Sequence, residues 1–129
     1  MGKLRQLVKM QKGYVSYSDT TAKWICDLPK TATLLYIFVQ TVTGFSGSDL
    51  DLEIGTKTEP AKFVAEYELP GSAAYAVMTM ASGGHLEDLS LNGPVTDIWA
   101  TVVDGSRDGS AGKALVIVVY ADPFVNPGQ

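Results

Sequence analysis

Residues 33–45 read TLLYIFVQTVTGF, thirteen positions that are almost all β-branched, aromatic or aliphatic, with a glycine at position 44. A second run of the same character, Lys113–Tyr120 (KALVIVVY), lies near the C-terminus. Both alternating faces of each run are apolar. Such segments read as strands covered on both sides, as in the middle of a packed pair of sheets.

Outward from these two runs, apolar segments recur between clusters of Gly, Pro, Asp, Asn and Ser. The spacing predicts strands at Val15–Ser18, Trp24–Leu28, Thr33–Phe45, Asp49–Thr56, Lys62–Leu69, Tyr75–Ala81, Leu89–Leu91, Val95–Val103 and Lys113–Ala121. Asp49–Ile54 (DLDLEI) alternates most cleanly, with Leu50, Leu52 and Ile54 on one face and Asp49, Asp51 and Glu53 on the other, as a half-buried strand requires. In Lys62–Leu69 (KFVAEYEL), Phe63, Ala65, Tyr67 and Leu69 stand against Lys62, Val64, Glu66 and Glu68. The turns are chemically explicit: GFSGS at 44–48, PGS at 70–72, SGG at 82–84, NGP at 92–94 and DGSRDGSAG at 104–112. Many short strands without a helical period indicate an all-β, single-domain antiparallel β-sandwich of jelly-roll-like type.

At 129 residues, one domain with one core is expected. Hydrophobic residues make up 46% of the chain and charged residues only 19%, which leaves apolar surface for a partner. The single Cys26 permits neither an internal disulfide nor a cysteine-based zinc site, and its apolar surroundings (WICDL) suit a buried structural thiol. Met1–Gln11 lacks the continuous apolar stretch of a signal peptide, and no apolar run approaches the ~18 residues of a membrane span, so a soluble chain with no membrane partner is expected.

Charge is unevenly distributed. Residues 1–30 hold six of the ten basic residues against Asp19 and Asp27, while the remainder is strongly acidic and the whole chain carries −4. This predicts an extended N-terminal arm (residues 1–20) on a sandwich body (residues 21–129), with Lys3, Leu4, Arg5, Leu7, Val8, Lys9, Tyr14 and Tyr17 meeting an acidic surface of another copy or another protein. The basic residues are few and not interleaved with aromatics, and the acidic body would repel phosphate, so nucleic acid is not expected as a partner.

No catalytic, cofactor-binding or metal-binding group is predicted. Asp104, Ser106, Asp108 and Gly109 imitate the start of a calcium loop, but Leu115 stands where the closing bidentate acid should be, and a glycine-rich hairpin loop accounts for the segment better. Asp49, Asp51 and Glu53 lie about 7 Å apart along one strand face, a spacing suited to a solvated face. His85, the only histidine, lies in SGGHLED with no nucleophile motif nearby, and the glycines of that loop are not followed by the Lys-Ser/Thr of a phosphate cradle. Trp24, Trp99 and the tyrosines could stack on sugar rings. Trp99 and Tyr36, inside apolar strands, are expected in the core, and Tyr14 and Tyr17 at an interface.

Three segments together, TLLYIFVQTVTGFSGS (33–48), LDLEIGTKTEPAKFVA (50–65) and WATVVDGSRDGSAGKALVIVVYADP (99–123), give a long aliphatic strand, a strand ending in Ile-Gly-Thr, and a C-terminal β-hairpin. In this order the chain resembles small all-β virion structural proteins of tailed bacteriophages, over about residues 31–123. The resemblance implies a capsid decoration or cement protein, with a tail, baseplate or receptor-binding module as the alternative. It further implies a homotrimer, contacts with major capsid or other virion proteins, residence in the virion after synthesis in the host cytoplasm, and no catalytic residues.

Overall fold

The computed structural model describes residues 7–29, 32–78 and 95–122. These form eight strands and no helix: β1 (Leu7–Ser16), β2 (Lys23–Pro29), β3 (Thr33–Ser46), β4 (Leu50–Gly55), β5 (Val64–Glu68), β6 (Ala74–Met78), β7 (Val95–Asp104) and β8 (Ala111–Asp122). A first sheet has the order β1-β8-β3-β6 and a second the order β2-β7-β4-β5, all neighbours antiparallel. The pairs β4·β5, β3·β6, β2·β7 and β1·β8 are nested hairpins around the β4–β5 connection. Rolling that ribbon lays β8 beside β3 and β7 beside β4, which is the winding of a jelly-roll-like sandwich.

The core lies between the sheets. Leu34, Ile37, Val39, Val116 and Val118 from the first meet Ile25, Leu28, Leu52, Ile54, Ile98 and Val102 from the second, all buried. Each such side chain contributes roughly 1.5–3 kcal/mol relative to exposure. The alternation of β4 appears as predicted, with Leu50, Leu52 and Ile54 inward. In β5 the expected alternation breaks. A register shift between Leu52 and Ile54 opposes Leu52 to Tyr67 but Ile54 to Val64, and this bulge turns both Phe63 and Val64 into the core.

The two long runs cross the sandwich side by side, from Thr33↔Ala121 to Ser46↔Ala111, with three irregularities along β3. Gly112 permits this crossing. Its φ is +137°, and a Cβ there would collide with the Phe45 ring.

The expected arm differs from Leu7 onward. Residues 7–16 are an integral edge strand, paired with β8 from Leu7↔Asp122 to Ser16↔Lys113. The physical reason is that an extended segment beside β8 pairs its N–H and C=O groups on that strand while Val15 enters the core. Gln11 ties this strand across to the second sheet, its side-chain amide donating to the Asp27 carbonyl at 2.9 Å. Lys3, Leu4 and Arg5, the strand expected at Leu89–Leu91, and His85 lie outside the described residues.

Candidate interaction surface

Because the strands of the first sheet are apolar on both faces and the second sheet covers only the inner one, the outer face exposes apolar side chains. Val8, Met10 and Tyr14 of β1 and Tyr75 and Val77 of β6 are exposed there, Tyr36 and Phe38 of β3 and Leu115 and Ile117 of β8 are half-buried, and Val119 of β8 is buried. Tyr75 is 73% exposed, Met10 64% and Val8 62%, values unusual for such side chains on a soluble surface. The periodicity of β1 is inverted: its large apolar residues point to solvent, while Gln11 and Gly13 take inward positions beside Val15.

At the centre of this face Tyr36 and Phe38 meet edge to face, ring centroids 5.7 Å apart, and Phe38 lies 6.3 Å from Tyr75. Met10, Gln40, Ile117 and Val119 complete a shallow hollow of about 300 Å³ with these rings. Gln40 is the polar residue of the hollow's lining, and Lys12 and Lys113 lie on β1 and β8. Lys113 Nζ sits 4.4 Å from the Tyr14 ring centroid, so its ammonium is held over an aromatic face and its stem covers apolar surface.

The electrostatics of the two sheets are opposite. The first contains no acid before Asp122 at the end of β8, whereas the second carries Asp27, Asp51, Glu53, Glu66, Glu68, Asp97 and Asp104. Asp51 stands directly across from Glu68. Partial burial, then the charges of Asp49, Glu66 and Glu68, pushes the Asp51 carboxyl above its ordinary range; burial and the charges of Glu66 and Asp51 do the same to Glu53. Among the described residues, no group of three acidic, histidine or cysteine side chains is disposed to hold a metal.

Of the residues singled out from sequence, Val8 and Tyr14 lie on the outer face of the first sheet, and Tyr17 is exposed just beyond β1. Lys9 is also exposed, while the structure describes only the backbone of Leu7. Tyr36 and Trp99 are corrected: they stand half-buried on outer faces, because alternation from the buried Ile37 and Ile98 turns them outward. Trp24 and Trp99 face each other in register across β2 and β7. Asp27 accepts from Trp24 Nε1 at 3.0 Å, and Lys57 Nζ lies 5.2 Å from the Trp99 ring centroid. Cys26 is buried, and burial followed by the charge of Asp27 pushes its thiol up to about 12, so it stays protonated at neutral pH.

The 104–112 segment is the β7–β8 hairpin loop. Asp104 Oδ2 accepts from the Gly109 N–H at 2.9 Å, and Arg107 takes a left-handed conformation with φ 56°. Asp108 accepts from the Ser48 hydroxyl and from the Ser48 N–H at 3.0 Å, bonds that hold its carboxyl below the usual range. The protein's own donors thus engage Asp108 and one oxygen of Asp104, whose Oδ1 is buried without a hydrogen-bond partner. Sequence reasoning missed the role of Met10, Tyr75 and Val77, whose signal was a surplus of apolar positions in strands with one face already accounted for.

No family model matches the chain, and no curated protein matches its sequence. Among solved structures, a chain of the cyanophage Pam1 capsid asymmetric unit superposes with a TM-score of 0.59, covering 90% of this chain and 85% of that one at 20% identity. The two chains share a fold. The overlap extends over most of both chains, so the likeness covers the sandwich as a whole and not a single hairpin.

Proposed function

We propose that this protein is a structural component of a bacteriophage particle, a decoration or cement protein that self-associates as a homotrimer and binds major capsid or other virion proteins. The observation that supports it most is the near-complete overlap with a chain of a capsid asymmetric unit, in a molecule that also exposes a broad apolar face. The work is mechanical rather than catalytic: a two-sheet body resists deformation, and buried contacts at its surface hold neighbours together. Made in the host cytoplasm, the protein would reside in the virion. Lys3, Leu4 and Arg5, ahead of the edge strand, would add a basic, partly apolar segment able to meet an acidic neighbour, a contact weakened by salt.

Mixing the purified chain with capsids stripped of accessory proteins, then sedimenting the particles, tests the proposal. Saturable binding and particles more resistant to heat are expected. Deleting residues 2–6, which spares β1, should weaken binding steeply at low salt. Absence of binding to any stripped particle would refute the cement reading. The register pairing of Trp24 with Trp99 favours one alternative, a tail, baseplate or receptor-binding module that stacks sugar rings, and a glycan array distinguishes it.

A further inference from the structure

We infer that the outer face of the first sheet is the surface at which copies of this chain meet, with Tyr75, Met10 and Val8 of one copy packing over the Tyr36–Phe38 hollow of another. The inference deepens the self-association in the proposed function and rests on that part of the reading alone, not on the particle.

Three observations select a second copy as the occupant. The first is area. The exposed fractions of Val8, Met10, Tyr14, Tyr75 and Val77 come to roughly 550 Å² per protomer, so two apposed faces, with the half-buried side chains between them, come to about the 1,200 Å² at which specific, stable interfaces begin. The second is charge. Seven acids lie on the second-sheet strands, whereas those of the first carry Lys9, Lys12 and Lys113 and no acid before Asp122, so copies that meet through their first sheets keep the two strongly acidic faces apart. A basic partner would be drawn to the opposite side of the molecule. The third is shape. The aromatic centre formed by Tyr36, Phe38 and Tyr75 is a shallow hollow into which an exposed apolar side chain of a second copy can fit, and Lys113 over Tyr14 stays hydrated beside it. Faces turned toward a common symmetry axis would complete the second layer that the two-sided strands β3 and β8 require.

The test uses the full chain. Sedimentation velocity over micromolar concentrations should show an oligomer for the wild type and monomer for Tyr75→Glu and for Met10→Glu, an affinity loss of about a hundredfold or more. Both positions are exposed in the protomer, so the circular dichroism spectrum should be preserved, while the melting temperature should lose its dependence on protein concentration. Glu66→Lys, on the second sheet, should leave the mass unchanged. In a Gln40→Cys chain, which keeps Tyr75, Met10 and Val8, a short bis-maleimide should join two copies, since Cys26 is buried. A monomeric wild type, or an oligomer that both glutamate variants leave intact, overturns the inference. Oligomers that fail to bind particles would sink the cement reading and leave this interface standing. A monomeric wild type whose particle binding is abolished by Tyr75→Glu would overturn the interface between copies and assign the face to a virion partner.

Discussion

Replacing Glu68 by lysine should stabilise the protein, by an amount that follows from its register. Glu68 stands directly across from Asp51 on the antiparallel β4·β5 pair, and Glu66 and Glu53 crowd the same face. A like-charged cross-strand pair costs about 0.2–1 kcal/mol, and an opposite pair at the same site contributes a similar amount with the other sign, so Glu68→Lys should gain about 1 kcal/mol at low ionic strength. For a chain of this length that is about 4 °C in Tm. The pH dependence has a definite direction. The Asp51 carboxyl is raised in the folded state, which therefore binds the proton more tightly than the unfolded chain. The destabilisation from its charge is full at neutral pH and disappears as pH falls through the raised value into the ordinary carboxylate range. Glu68→Lys should thus melt higher than wild type at pH 7, the difference should shrink with added salt, and it should vanish near pH 3 once Asp51 is protonated. Differential scanning calorimetry at fixed protein concentration measures all three. An equal gain at pH 3 and pH 7, or none at pH 7, would show that the acidic face is too well solvated for its charges to interact.

Other perturbations probe the packing. Thr41 is 2% exposed and its hydroxyl has no hydrogen-bond partner, so Thr41→Val should raise stability by about 1 kcal/mol in urea unfolding, where an unchanged midpoint would mean the hydroxyl is satisfied. Gly112→Ala combines an unfavourable φ with a clash on Phe45 and should cost on the order of 2–4 kcal/mol, visible as a drop in melting temperature. Cys26 should react with a thiol reagent only in denaturant, at a rate that tracks unfolding; rapid labelling of the folded protein would contradict its burial.

Strand identity was legible because the signals were local. The alternation in Asp49–Ile54 and the β-branched content of Thr33–Phe45 and Lys113–Tyr120 report their own conformation, and the structure places strands at all three. The bulge that buries Val64 was not legible, since it depends on register against β4. The arm was misread from Leu7 on because alternating charge and apolarity describe a free extended segment and an edge strand equally well. Tyr36 was expected in the core for a related reason: apolar runs on both faces announce that both sides will be covered, without saying whether the same chain covers them. Here it covers one, and the candidate surface is the remainder.

The nested winding also bears on the order of events in folding. Closing β4 against β5 spans a short loop, whereas β1 reaches β8 only by pairing Leu7 with Asp122, so the entropy of closure favours zipping outward from the centre of the ribbon. β1 would then dock last, and pulse-labelled amide exchange should show its protection arriving after that of β4 and β5. That strand carries Val8 and Met10. A chain still in the act of folding would accordingly present only part of its adhesive side, and newly made molecules would be kept from sticking together until each was finished.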